Sequence, residues 1–333
     1  MDVAPRFLHV ANGTSVTGTI AAAGIPGARS IWADPLYEGP VPAVSDDELV
    51  EIRSRYLSGE YAGNVDPVND LRQWRAAIAA HDAYDAYDEA VLWFEHDLFD
   101  QLNLIQLLDW MRPRMPAGKI VSLICIGSFP GRVSFKGLGE LSADELASLL
   151  PARRPVTKGE YDLASRAWTA FRDPSPQPLD DLRRTDTGAL PFLAAAIERF
   201  LQEFPWTRDG LSRSERRLLQ LAEQGPIALH TVFPRMQHGE RFYYMTDLSL
   251  ASLAVALSRT TPPLLAVDGV VSDSLAGSIS LADAGREVLA GRRDRVSCGL
   301  DRWLGGVRVQ SRGDIWRWDD DRSRIVRTRP ASR

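Results

Sequence analysis

Hydrophobic and polar positions along this chain follow two different periods. Arg6–Ala11 (RFLHVA), Ala28–Ala33 (ARSIWA), Ala90–Phe94 (AVLWF) and Lys119–Ile126 (KIVSLICI) are short apolar runs with little or no polar face, as expected of strands buried on both sides. Helical patterns lie between them. Val16–Ala23 stops at Gly24, Ser45 and Glu48 form a capping box that opens a helix to Leu57, a further helix is expected from Pro67 to His81, and Leu98–Met111 reads as amphipathic. Glu38–Pro42 reads as a loop, because Pro40 and Pro42 both withhold a backbone donor. Apolar strands alternating with helices predict an α/β fold, a three-layer domain with a parallel sheet over residues 1–135.

From Ser142 the period becomes helical, with helices expected at Ser142–Leu150, Thr157–Arg172 and Pro191–Phe204 around the proline-rich Asp173–Pro178. Residues 136–205 form a helical connector in this reading. Ser212 with Glu215 is another capping box, opening Ser212–Gln224. Ile227–Met236 and Asp247–Ser258 follow as helices, Leu264–Val267 and Ser278–Leu281 as extended pieces, and Ala282–Ala290 as a last helix. Helices followed by a two-stranded wing predict a mainly helical, winged-helix-like domain over residues 206–298. The tail, 299–333, is expected to form a β-hairpin between Gly306–Val309 and Ile315–Trp318.

Composition narrows the class. At 333 residues with 44% hydrophobic and 25% charged residues, the chain is expected to be globular and in more than one domain. The apolar runs fall short of a membrane span, so no membrane partner is expected. The start, Met1–Arg6, does not read as a secretory signal, and a cytoplasmic location is the expectation. Cys125 and Cys298 have no CxxC partner, which argues against a disulfide framework or zinc site. Net charge is −10 over residues 1–205 and +5 over 206–333. All basic residues of the second part are arginines, so nucleic acid is one candidate partner for it. Arg208, Arg213, Arg216 and Arg217 flank one helix start, and Arg286, Arg292, Arg293 and Arg295 cluster near another. A solvated helix face is the favoured explanation of these arginines, because Ser212–Gln224 carries only a modest positive excess.

In a parallel α/β sheet the strands' carboxyl ends and the following helix N-termini share one edge, where small ligands bind. Four clusters fall there: Asn12-Gly13-Thr14-Ser15, Asp34 with Glu38, Glu95-His96-Asp97 followed by Asp100 and Gln101, and Gly127-Ser128. A glycine turn with two hydroxyls at a helix start suits a phosphate or carboxylate, though Thr14 or Ser15 serves equally as a helix cap. Carboxylates beside a histidine suit acid–base work or a divalent cation. Glu95, His96 and Asp97 are therefore the catalytic candidates. Asn12, Gly13, Thr14, Ser15, Asp34, Glu38, Asp100, Gln101 and Ser128 are the ligand-binding candidates. Structural roles compete for several of them: Asp97 as an N-cap, Asp34 as a turn initiator, and His9 as a core histidine. No GxGxxG fingerprint is present, which favours a hydrolase or transferase over an oxidoreductase, and no GxSxG elbow marks a serine nucleophile. A ligand-sensing regulator and a protein-interaction module are the alternatives.

Three stretches, His9–Ser15, Trp32–Pro42 and Leu92–Leu102, resemble in order the bacterial family known as domain of unknown function 1835, over about residues 6–130. Gly210–Glu215, Trp303–Gly306 and Trp316–Trp318 are similar to the C-terminal extension of many members. Where the family usually has Gly-Asp-Ser, this chain has Gly13-Thr14-Ser15. The resemblance implies that the three loops form one site and implies no particular reaction.

Overall fold

The computed structural model describes residues 6–60, 71–76, 87–115, 118–270 and 274–328. The chain divides into two compact units that are interleaved along the sequence. Unit 1 is Met1–Tyr37, Asp66–Ala170 and Leu182–Ala196; unit 2 is Glu38–Val65, Phe171–Asp181 and Ile197–Arg333. The pattern along the chain led to four contiguous blocks; the two units each draw on distant segments.

Unit 1 is built on a five-stranded sheet of order β2-β1-β4-β5-β6. Its strands are β1 (Phe7–Ala11), β2 (Ala28–Ile31), β4 (Glu89–Glu95), β5 (Ile120–Ile126) and β6 (Arg154–Pro155). The first four neighbours pair in parallel, and β6 adds an antiparallel edge the sequence did not announce. Every residue of β4 is buried, as its unbroken apolar run required. Between the strands run α1 (Thr14–Ala22) and α4 (Leu98–Met111); residues 71–76 are helical and labelled α3, and later in the chain come α5 (Ala143–Ala147), α6 (Lys158–Phe171), α7 (Gln177–Leu182) and α8 (Leu193–Leu201). The rest of the helix expected from Pro67 to His81 lies outside the described residues.

From β1 the chain crosses to β2 on one side, and β4 then pairs on the other side of β1. Right-handed crossovers in opposite directions put α1 and α4 on opposite faces. Ala11, Val91, Trp93 and Ile124 share one core cluster with Val16 and Ile20 of α1 and with Phe135, Leu138 and Leu141. Because strand side chains alternate, Glu95 follows Val91 and Trp93 onto that face.

Helix α4 departs from the amphipathic reading. Only Phe99 and Asp109 of its residues escape burial. Its polar residues are clamps instead. Gln106 accepts from the Trp32 indole at 2.9 Å, and Asn103 both accepts from the Asp34 amide at 3.0 Å and donates to the Asp34 carbonyl at 2.8 Å. His9 is the core histidine the sequence suggested. Its Nε2 lies 3.1 Å from the Pro26 carbonyl, and its Nδ1 accepts from the Trp93 indole at 3.1 Å. Burial lowers its pKa.

Unit 2 contains β3 (Gly39–Pro40), α2 (Asp46–Glu60), α9 (Arg213–Leu221), β7 (Ile227–Ala228), α10 (Leu229–Gln237), α11 (Asp247–Ser258), β8 (Leu265–Asp268), β9 (Ser278–Leu281) and α12 (Asp283–Leu289). Both capping boxes are formed, Ser45 with Glu48 and Ser212 with Glu215. Strands β7, β9 and β8 make an antiparallel sheet in that order.

Two expectations fail in this unit. Gly39–Pro40 is not a free loop: it pairs in parallel with Leu304–Gly305 of β10 (Asp301–Gly305), and the Val41 amide donates to the Gly305 carbonyl at 2.8 Å. Gly39 is left-handed (φ 73°) and abuts the Tyr56 ring, so a side chain is excluded there. The tail is two hairpins rather than one. β10 pairs with β11 (Val307–Gln310), turning at the left-handed Gly305, whereas β12 (Ile315–Asp319) pairs with β13 (Arg324–Thr328), turning through Ser323. The Gly305-Gly306 turn supplies a nearer partner than the one assumed. Among the described residues no helix is long and apolar enough to cross a membrane.

Candidate functional site

The strand order reverses between β1 and β4, and their carboxyl ends carry Asn12-Gly13 and Glu95-His96-Asp97. Such a switch point leaves a crevice outside the strand ends, because the two following helices leave to opposite faces. At this switch point lie three buried carboxyls, Glu95, Asp97 and Asp100, each offering an oxygen within 4.8 Å of the others.

Each is fixed by a local rule. Asp97 is the N-cap of α4 and accepts from the Asp100 amide at 2.9 Å, the arrangement that satisfies an orphan donor of the first turn. Asp100, in that first turn, accepts from the Glu95 amide at 2.9 Å and from Asn12 Nδ2 at 2.7 Å. Glu95 accepts from the Leu138 amide and, at 3.5 Å, from Asn12 Nδ2. Asn12 thus bridges β1 to the acids of β4 and α4. Gln101 donates to the Glu95 carbonyl at 2.6 Å, which also accepts from the Cys125 thiol at 3.4 Å.

Burial and then the charge of Asp97 push Glu95 up to about 8. Burial lifts Asp97 to about 6 against the amides of Asp100 and Phe99, which favour its charged form. Asp100 is held well above its ordinary value by burial and by Glu95 and Asp97. Desolvation and mutual repulsion disfavour the triply ionised state, so the trio shares protons or holds a cation. Three carboxylate oxygens within 4.8 Å of one another are close enough to share one hard, oxygen-seeking cation.

The other candidates divide. His96 is adjacent in sequence but contributes no atom to the trio; its ring packs against Phe135 (6.3 Å between centroids) and Phe192 (6.1 Å). Successive side chains leave a strand end in different directions, which parts it from Glu95. Gln101 and Asn12 are engaged with the cluster as struts. Gly13 is the N-cap of α1 and forms no side-chain cap, and Thr14 and Ser15 are exposed in the first turn, so neither hydroxyl caps the helix. Asp34 is buried with its backbone gripped by Asn103, and it lies outside the trio. Ser128 is exposed. Glu38 belongs to unit 2, where it accepts from Ser249 Oγ at 3.1 Å.

Sequence reading missed Gly137 and Leu138, which close over Glu95 from a short 3₁₀ turn at Leu138–Glu140. It also missed the clamp role of Asn103 and Gln106, signalled only by polar residues in an otherwise apolar helix. Compared with protein-family models and with curated proteins, the chain matches none.

Proposed function

We propose that unit 1 binds and acts on a phosphorylated or nucleotide-like small molecule, in hydrolase- or transferase-type chemistry, with Glu95 and Asp97 as its acid–base pair. The observation that carries this reading is the carboxyl trio at the β1/β4 switch point, with the two acids' pKa values set on either side of neutrality. Neighbouring carboxyls pushed apart in this way supply a proton donor and a proton acceptor at one pH. The first-turn amides of α1, next to Asn12, suit the anionic part of the ligand. With Glu95 and Asp100 protonated, or with a divalent cation among them, a phosphate meets less repulsion. The resemblance of these loops to domain of unknown function 1835 is in keeping with a shared site.

Thermal shift with magnesium, manganese and calcium, alone and with nucleotides or sugar phosphates, tests the reading at about pH 8, where the acids ionise most readily. A ligand at 100 times its Kd raises stability by about 2.7 kcal/mol. Glu95→Gln and Asp97→Asn are expected to abolish that rise and keep the wild-type circular dichroism. If both variants respond to every ligand as wild type does, the trio is a structural proton store.

For unit 2 we propose a winged helix, supported by the order α9, β7-α10, α11, β8-β9 and its antiparallel sheet. Its role in this reading is protein interaction or ligand sensing. Helix α11, which would enter a DNA groove, begins with Asp247 and carries no Lys or Arg, which disfavours phosphate contacts along it.

A further inference from the structure

The arginines of α9 are only partly solvated: Arg213, Arg216 and Arg217 are each half-buried. Arg213, Arg216 and Arg217 line a cavity of about 220 Å³ in unit 2, together with Arg199, His238 and Glu240. Its cations outnumber the carboxylates that reach them. Arg199 is buried and holds Glu203 at 2.6 Å and Glu240 at 2.9 Å, which fixes it as framework. Glu240 is shared with Arg213 at 3.2 Å, and Glu203 also answers the charge of Arg302. Arg213 titrates below its ordinary value, from burial first and then from the charge of Arg199. Arg216 is paired with Asp209, yet its Nε is buried and meets no hydrogen-bond acceptor among the described residues. Arg217 pairs with no carboxylate among them and donates to the Arg235 carbonyl at 3.2 Å.

Surplus positive charge and half-buried guanidinium groups around one cavity call for an oxyanion. Met236, Tyr243 and Met245 supply an apolar wall beside it. The cavity is smaller than the 300 Å³ or more usual for drug-sized ligands, which limits the organic part to a few atoms.

We propose that this cavity is a binding site for a small phosphate monoester, held by Arg213, Arg216 and Arg217, with its organic part against Met236 and Met245. The dianionic phosphate answers both the lone charge of Arg217 and the surplus shared by Arg199 and Arg213. The site lies wholly in unit 2 and does not depend on the carboxyl trio of unit 1.

Inorganic phosphate, titrated into the full chain by calorimetry and by thermal shift, is the test, with sodium chloride at matched ionic strength as reference. Saturable binding and a rise in Tm above the chloride reference are expected. Arg217→Gln leaves the buried framework untouched and is expected to weaken phosphate by about tenfold. Arg213→Gln is expected to weaken it similarly, with near-UV circular dichroism showing that each variant is folded. The Glu95→Gln/Asp97→Asn double variant is expected to bind phosphate as wild type does, which separates this site from that of unit 1. Equal effects of phosphate and chloride, unchanged affinity in both arginine variants, or succinate binding as tightly as phosphate would each overturn the assignment.

Discussion

The melting temperature of this protein is expected to fall as pH rises from about 5.5 to about 8.5, and to fall much less in Glu95→Gln. An acid whose folded pKa lies above its unfolded value takes up a proton on folding. The stability it contributes is fully present below the unfolded value, 4.5 for Glu95, and is lost as pH rises through about 8. Between those limits each pH unit removes about 1.4 kcal/mol for each such group. Glu95 alone then accounts for about 3 kcal/mol across the range, a drop on the order of 10 °C. Asp97, raised to about 6, adds to the lower part of the same slope.

Glutamine at position 95 is isosteric with the protonated acid and has no carboxyl proton to lose. Its oxygen can still accept from Leu138 and Asn12. The variant is therefore expected to match wild type at acid pH and exceed it at alkaline pH. His9 works in the opposite sense. Its lowered pKa contributes stability present above the unfolded value of 6.5 and lost as pH falls through the folded value, so below about pH 6.5 it partly offsets the slope set by the acids. A saturating divalent cation would favour the ionised trio and flatten the alkaline fall in wild type only. Parallel pH curves for wild type and Glu95→Gln in metal-free buffer would rule out a proton held at Glu95.

What the sequence made legible follows from which forces are local. The strands β1, β4 and β5, helix α4 and the Ser212 capping box are written in short windows: an unbroken apolar run, a cap residue, a Glu three positions on. Glu95, Asp97 and Asp100 were found by the same logic, since a strand end followed by an N-cap places them within six residues. Their partners were not local. Asn12 and Leu138 reach Glu95 from 83 and 43 residues away. The pairing of Gly39–Pro40 with Leu304–Gly305 spans most of the chain. His96 shows the limit of adjacency, because neighbouring residues at a strand end need not share a face. The arginines of α9 were visible as charge, but their cavity depends on Arg199, Met236 and Glu240 from other segments.

Gly137→Ala is expected to cost several kcal/mol, more than a typical loop substitution. The reason is space, since the backbone at Gly137 is extended (φ 163°) and any residue can adopt it. A Cβ there would overlap the Glu95 carboxyl. That carboxyl is not a free side-chain end; it is buried, and its other oxygen is held by the Leu138 amide and Asn12. Either residues 137–138 retreat or the carboxyl leaves. In both cases the Leu138 amide loses its acceptor, and each buried donor left unsatisfied costs about 1–3 kcal/mol. Gly139→Ala is the control, because its Cβ would meet only Ser15, with the Oγ at 3.3 Å; a loss under about 1 kcal/mol is expected. The double-mutant cycle with Glu95→Ala separates crowding from any other cause. Once the carboxyl is gone, alanine at 137 has room and its cost should largely vanish. If Gly137→Ala costs the same in both backgrounds, the turn at 137–140 is not packed on Glu95, and the closed carboxyl site is wrong at its roof.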